Sequence, residues 1–66
     1  MNDIRVQEYG VASYWPSSMA GALGAAQAIM ARNGCGNIQV RGADGLWRIA
    51  YRFERWAGIV AEQRHT

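Results

Sequence analysis

Three arginines on two neighbouring segments are the residues of this chain best suited to recognition chemistry. Arg41 lies in one alternating segment, and Arg48 and Arg52 lie in the next. A guanidinium group is always charged, and its planar fork of donors matches the oxygens of phosphate and carboxylate groups. The three side chains therefore predict binding of an anionic partner.

A β-hairpin over residues 37–54 would position these arginines. Apolar and polar residues alternate on both sides of Asp44-Gly45, a pair preferred in two-residue hairpin turns. Centring the hairpin on that turn places apolar residues opposite each other on one face and arginines opposite each other on the other face. The predicted pairs are Arg41–Arg48, Val40–Ile49 and Ile38–Tyr51.

The face with the paired arginines also carries Arg52 and Gln39. Like charges directly opposite each other destabilise a sheet. Two interpretations follow from this arrangement. Either the chain keeps the arginines for an anionic partner, or they form a solvated surface on which Glu8 or Glu54 relieves the repulsion.

Aromatic residues are frequent for this length, with three tryptophans and three tyrosines. Trp47 and Tyr51 fall on the apolar face of the predicted hairpin and Trp15 lies at a strand end, which indicates core packing for all three. Trp56 fits either the core or an exposed position, where it would stack on a base or anchor a protein interface. The predicted partner-binding residues are Arg41, Arg48, Arg52, Gln39 and Trp56.

Residues for catalysis or metal binding are scarce. The one histidine, His65, lies in a predicted loose tail over residues 63–66. The one cysteine, Cys35, lies between two glycines after a helix, away from an obvious base. One cysteine and one histidine cannot complete a zinc site within one chain. The sequence predicts a non-enzymatic protein without a metal or cofactor.

A strand and a helix precede the hairpin. A single strand over residues 3–14 is predicted, with a bulge or bend near Glu8 or Gly10 where the alternation changes phase. A helix over residues 17–32 follows a serine cap and ends at Asn33-Gly34. Small residues on its flanks allow close packing on the chain's own sheet or in a homodimer. The predicted core face is Met19, Ala22, Leu23, Ala26, Ile29 and Met30.

The chain is long enough for a single domain, 1–66, with a thin core, since it has 66 residues of which 50% are hydrophobic. Residues 56–62 fit an edge strand better than a helix because Gly58 disfavours a helix. The predicted fold is α+β, with one helix packed on a small antiparallel sheet in the order β-α-β-β and a terminal strand over 56–62.

Cysteine usage and the amino-terminal residues indicate a compartment. A single cysteine excludes an internal disulfide and fits a reducing environment. The first residues lack the basic and apolar pattern of a signal peptide, and the apolar stretch from Met19 to Ala31 is too short to cross a bilayer. We therefore expect a cytoplasmic protein that does not bind membranes.

The carboxyl-terminal two thirds carry a recognisable series of short motifs. They are Ala25-Ala26-Gln27-Ala28-Ile29, Cys35, Asn37-Ile38-Gln39-Val40-Arg41, Gly45-Leu46-Trp47, Ala50-Tyr51 and Arg55-Trp56. In these motifs the chain resembles one group of small phage-encoded anti-CRISPR proteins that act on type I systems. The amino end departs from that group, which has room for a strand pair before its helix, because a single bent strand is predicted here.

The resemblance implies a stoichiometric inhibitor that docks on the RNA-guided surveillance complex, in the host cytoplasm, and hinders access to target DNA. A basic inhibitor would clamp an acidic patch of a protein subunit or touch the guide or target backbone. Two other functions remain open. One is a stand-alone nucleic-acid-binding domain that uses the basic sheet face, and the other is a homo-oligomeric structural subunit.

Overall fold

The computed structural model describes residues 3–62 as one helix packed on a five-stranded antiparallel sheet. This arrangement confirms the predicted α+β class. The strands are β1 (Ile4–Glu8), β2 (Ala12–Tyr14), β3 (Gly36–Arg41), β4 (Trp47–Glu54) and β5 (Gly58–Ala61), and the helix is α1 (Met19–Ala31). Their order in the sheet is β2-β1-β3-β4-β5. The predicted loose tail over residues 63–66, with His65, lies outside the described residues.

The prediction of one bent strand over residues 3–14 is wrong, because the chain reverses completely between β1 and β2. The amide of Val11 donates to the carbonyl oxygen of Glu8 at 3.1 Å, which closes the turn. Gly10 adopts a positive φ of 74°, a conformation that glycine reaches without steric cost. The predicted bend near Glu8 or Gly10 is therefore a hairpin turn, and a strand pair precedes the helix.

The helix follows its sequence signals closely. The Ser18 hydroxyl oxygen accepts a hydrogen bond from the amide of Gly21 at 3.1 Å, so that it caps the first turn. Asn33 takes a positive φ of 66° just after the helix, and this left-handed residue stops it. Ala22, Ala26 and Ile29 are buried against the sheet, which confirms the predicted core face.

Side chains from the middle strands meet that helix face. Val6, Ile38 and Phe53 are buried and form the sheet side of the core. Gly36 permits close approach of the strands, since a Cβ atom there would lie 1.9 Å from the carbonyl oxygen of Gln7. No other residue fits at Gly36 without displacing β1.

The β3–β4 hairpin differs from prediction in its turn and in its register. The amide of Gly45 donates to Gly42 and the amide of Gly42 donates to Leu46, both at 2.9 Å, so the loop contains three residues instead of two. Arg41 consequently lies opposite Trp47, and Val40 lies opposite Arg48. The predicted Arg41–Arg48 and Val40–Ile49 pairs are wrong.

A bulge restores the predicted register further along the hairpin. Ile38 pairs with Tyr51 as predicted, whereas Gln39 pairs with Ile49, which leaves Ala50 as an extra residue on β4. The extra residue reverses the alternation of β4, so residues 47–49 project to the faces opposite to those that continuous alternation from Phe53 would give them. Because of the three-residue loop and the bulge together, Trp47 and Arg48 occupy faces opposite to those predicted.

The terminal segment forms the edge strand β5, as predicted within residues 56–62. Trp56 lies before that strand, in the turn that follows β4. The helix α1 is not long and apolar enough to cross a membrane.

Candidate binding face

The side of the sheet away from α1 carries no covering layer within residues 3–62, and we call it the open face. Successive side chains of a strand point to opposite sides, so the residues between the core positions project here. The register of the four strand pairs brings them together across the sheet. The open face includes Arg5, Gln7, Asn37, Gln39, Arg41, Trp47, Arg52 and Val60, with Trp15 just beyond β2.

Arginine and tryptophan side chains stack on one another along one end of this face. The guanidinium carbon of Arg5 lies 4.4 Å from the ring centroid of Trp47 and 5.6 Å from that of Trp15. The guanidinium carbon of Arg41 lies 5.4 Å from the Trp47 centroid. The two indole rings meet edge to face, with centroids 5.7 Å apart. We call these four residues the Trp–Arg cluster, and its cation–π contacts hold large side chains in place without a covering layer.

Hydrogen bonds of side-chain amides link the Trp–Arg cluster to the middle of the open face. Arg5 Nε donates to Gln39 Oε1 at 2.8 Å, and Arg5 Nη2 donates to the same oxygen. Gln39 Nε2 in turn donates to Gln7 Oε1 at 3.1 Å. The predicted binding residue Gln39 therefore lies on the open face, and its side chain positions Arg5.

Asn37 is the most deeply buried polar residue of the open face, with 4% of its surface exposed. Its Nδ2 donates to the hydroxyl oxygen of Tyr9 at 3.0 Å. No donor among residues 3–62 reaches its Oδ1. Tyr9 thus folds over Asn37 and covers the sheet at the end opposite the Trp–Arg cluster.

Carboxylates neutralise the predicted arginines of the open face. Arg41 Nη2 lies 2.7 Å from Asp3 Oδ1, and Arg52 Nε lies 2.9 Å from Glu62 Oε2. The pairing with Glu62 raises the pKa of Arg52 above its ordinary value. The repulsion between arginines is thus relieved by Asp3 and Glu62, and not by Glu8 or Glu54 as the solvated-surface interpretation expected.

Arg48 lies on the side of the sheet that faces the helix, since it pairs with Val40. Its two terminal nitrogens bind the two carboxylate oxygens of Asp44 at 2.5 and 3.1 Å. This bidentate pair and the amide of Leu46, 3.0 Å from Asp44 Oδ1, hold the pKa of Asp44 well below its usual range. Arg48 therefore stabilises the hairpin loop, and the prediction that it shares a face with Arg41 is wrong.

Trp56 is almost fully exposed, at 87%, so it does not belong to the core. The guanidinium carbon of Arg55 lies 5.4 Å from its ring centroid, and Arg55 Nη1 donates to Asn33 Oδ1. Trp56 lines a shallow cavity of about 330 Å³ beside the exposed Cys35. It is separated in the fold from the Trp–Arg cluster, because it follows β4 whereas Trp47 begins that strand.

An ion pair between a buried carboxylate and a half-exposed arginine lies on the covered side, beneath the end of the helix. Glu8 is 5% exposed, and its Oε1 lies 2.6 Å from Arg32 Nη2 and 3.0 Å from the hydroxyl oxygen of Tyr14. The hydrogen bond from Arg32 is the main reason that the pKa of Glu8 is lowered. The pair joins the end of α1 to both strands of the first hairpin, so its role is structural.

Sequence reasoning missed three members of the candidate site, Arg5, Trp15 and Trp47. The alternation in β1 is a signal that identifies Arg5, because a residue between the apolar residues Ile4 and Val6 projects to the face opposite the core. The predicted core position of Trp47 is wrong because the two-residue turn places it on the wrong face, and that of Trp15 is wrong because 53% of its surface is exposed. The structure brings Arg41, Arg52 and Gln39 together on the open face and places Arg48 and Trp56 elsewhere.

Within residues 3–62 there is no group of three or more metal-ligating side chains. No protein-family profile, curated protein or solved structure matches this chain at a significant level. The function is therefore inferred from the geometry of the open face.

Proposed function

We propose that this chain is a non-enzymatic binding protein that docks through its open face onto a protein surface. The observation that carries the proposal is the Trp–Arg cluster, in which Trp15, Arg5, Trp47 and Arg41 are already ordered by mutual contacts. Tryptophan, tyrosine and arginine dominate the energetics of protein interfaces. Side chains that are ordered before binding lose less conformational entropy when the partner arrives.

The charge pattern favours a protein surface over a nucleic acid backbone. Nucleic acid binding derives most of its affinity from unneutralised lysine and arginine charges. On the open face, Arg41 is paired with Asp3 and Arg52 is paired with Glu62. Arg5 donates to a neutral amide, so its positive charge is the least compensated of the three. A largely uncharged protein surface that carries a few acidic groups complements this pattern best.

The family resemblance suggests which protein surface that is. The motifs from the helix to Trp56 resemble those of anti-CRISPR proteins acting on type I systems, and the strand pair β1–β2 before α1 also agrees with that group. We propose docking on a protein subunit of a type I surveillance complex, which would hinder access to target DNA. Catalysis has no part in this function.

Two arginines of the β3–β4 hairpin provide a matched test, because they lie on opposite faces. Affinity for a purified type I surveillance complex is measured for Arg41→Ala, Trp15→Ala and Arg48→Ala, with duplex and single-stranded DNA as comparison ligands. We expect losses of at least about tenfold for the two open-face variants and almost no loss for Arg48→Ala. Circular dichroism checks that each variant is folded.

Equal losses for Arg41→Ala and Arg48→Ala would refute the open face as the docking surface. Binding to DNA alone, with an affinity that falls steeply as salt increases, would replace the protein partner with a nucleic acid. Absence of binding to the complex by the wild-type chain would refute the proposed partner.

A further inference from the structure

Within residues 3–62, the outer edge of strand β5 has no covering segment, and the strand lacks the residues that usually protect such an edge. Edge strands of natural proteins carry charges, prolines or bulges that prevent pairing with another chain. Gly58–Ala61 contains only glycine and aliphatic residues, and Val60 is 50% exposed. No described residue pairs with the outer side of β5. This edge can therefore accept another strand.

The opposite edge of the sheet, β2, is less suitable. It has only three residues, Ala12–Tyr14, and Pro16 follows it closely. Proline has no amide hydrogen to donate to a neighbouring strand. A second strand would find few backbone partners there, so the two edges are not equivalent.

The hydrogen-bond pattern of β5 shows which of its backbone groups face outward. The amide of Glu62 donates inward to the carbonyl oxygen of Ala50 at 2.9 Å. Inward and outward groups alternate along an antiparallel strand, so Gly58 and Val60 also bond inward, towards β4. The amide and carbonyl groups of Ile59 and Ala61 must then point away from the sheet.

We propose that β5 pairs antiparallel with β5 of a second copy of this chain, about a two-fold axis at Val60. In this register Ile59 lies opposite Ala61 of the second copy, and Ala61 lies opposite Ile59 of the second copy. All the outward amide and carbonyl groups of Ile59 and Ala61 then form hydrogen bonds. Val60 lies directly opposite its own copy and becomes covered.

The faces of the two sheets agree with this register. Ile59 pairs with Phe53 on the helix side, and Val60 pairs with Arg52 on the open side. Residues opposite each other project to the same side of a sheet, and Ile59 and Ala61 share one side because they are two residues apart. A continuous ten-stranded sheet results, whose symmetric contact closes as a dimer and does not propagate.

Sedimentation equilibrium tests the dimer directly. We expect the wild-type chain to shift from a mass of 7.3 kDa towards twice that mass as its concentration rises. Val60→Lys should remain monomeric, because two ammonium groups would lie opposite each other at the axis. Val11→Lys is the matched control, since Val11 is an exposed valine in the β1–β2 turn, and it should dimerise like the wild type.

Cross-linking tests the register. Cα atoms of a non-hydrogen-bonded antiparallel pair lie about 4.5 Å apart, which is within the range for a disulfide. In a Cys35→Ser background, Val60→Cys should form a covalent dimer under mild oxidation, whereas Val11→Cys should remain largely monomeric. Circular dichroism establishes that both variants keep the wild-type fold.

A wild-type chain that stays monomeric at all concentrations would overturn the proposal. So would a Val60→Lys variant that dimerises as strongly as the wild type, or equal cross-linking at Val60→Cys and Val11→Cys. Binding of the surveillance complex by a monomeric chain would leave the proposed function intact, which keeps the two proposals distinguishable.

Discussion

The two faces of the sheet come from the same strands, but different interactions organise them. On the covered face, Val6, Ile38 and Phe53 pack against α1, and the sizes of these apolar side chains determine how the helix fits on the sheet. On the open face, arginine, tryptophan and amide side chains contact one another through directional bonds and ring contacts. The central residues of the covered face are buried, whereas most residues of the open face are partly or fully exposed.

The difference separates stability from recognition. Burial of apolar area contributes most of the free energy of folding, so the covered face should determine whether the chain folds. Exposed ion pairs and stacked cations contribute little each. Residues of the open face can therefore be changed to suit a partner at small cost to the fold.

Two adjacent residues of β4 give the strongest contrast. Phe53 is 2% exposed on the covered face, while the side chain of Arg52 is 55% exposed on the open face. We expect Phe53→Ala to lower the free energy of unfolding by about 3–5 kcal/mol, because a large buried ring is lost. Arg52→Ala should lower it by less than about 1 kcal/mol. Chemical denaturation followed by circular dichroism measures both, and similar losses would invalidate the contrast between the faces.

Among the described residues, Glu8 is the one buried carboxylate, and it lies on the covered face. Its ionisation makes the stability of the folded protein depend on pH. The pKa of Glu8 is lowered in the folded state, chiefly by Arg32, so folding favours its charged form. The ionised carboxylate contributes fully to the free energy of unfolding above the ordinary pKa of glutamate, about 4.3. This contribution is lost as the pH falls through the pKa that Glu8 has in the folded state.

Removal of this carboxylate should therefore flatten the acid side of the stability profile. We expect Glu8→Gln to be less stable than the wild type at neutral pH, with the difference shrinking as the pH falls below about 4. Thermal unfolding over a pH series measures this difference. Glu54→Gln, which removes an exposed carboxylate at the end of β4, is the control for the loss of one negative charge.

Substitution of Arg5 tests how much the Trp–Arg cluster contributes to folding. Arg5→Lys keeps the charge but loses the planar fork that stacks on Trp47 and bonds Gln39. We expect a loss of about 0.5–1 kcal/mol in the free energy of unfolding, as is usual for a cation–π contact at an exposed site. A loss as large as that of Phe53→Ala would show that the open face is part of the core.

The smallest expected effect is at Trp56. Because its ring is 87% exposed, Trp56→Ala should change the free energy of unfolding by no more than about 0.5 kcal/mol. Denaturation experiments measure this value beside that of Phe53→Ala. A large loss of stability would place Trp56 in an apolar contact and restore the core assignment that its exposure contradicts.

Local signals in the sequence were sufficient to predict the helix and the fold class. Ser18 and Asn33 act within a few residues of the helix ends, and the spacing of Ala22, Ala26 and Ile29 specifies its buried side. The reversal at Gly10 was less evident, because Tyr9-Gly10-Val11 lacks the residue pairs typical of tight hairpins. A phase change in alternation is compatible with a bend or with a full turn.

The candidate site was only partly predictable, since face assignment depends on register. One extra loop residue places Arg48 and Trp47 each on the face opposite to the predicted one, and the bulge at Ala50 restores the predicted register between Ile38 and Gly36. Neither irregularity changes the apolar alternation that the sequence displays. The contacts of Arg5 with Trp15 and Trp47 join three separate segments of the chain, and no local pattern encodes them.

The edge-to-face contact of Trp15 and Trp47 has an optical consequence. Two indole chromophores with ring centroids 5.7 Å apart couple their electronic transitions, so they should produce a paired positive and negative band in the far-ultraviolet circular dichroism spectrum. Trp56, at the other end of β4, does not share this coupling. A partner that seats on the open face and reorients either indole would alter the paired band, so the protein carries an intrinsic, label-free reporter of occupancy at the surface where docking is proposed.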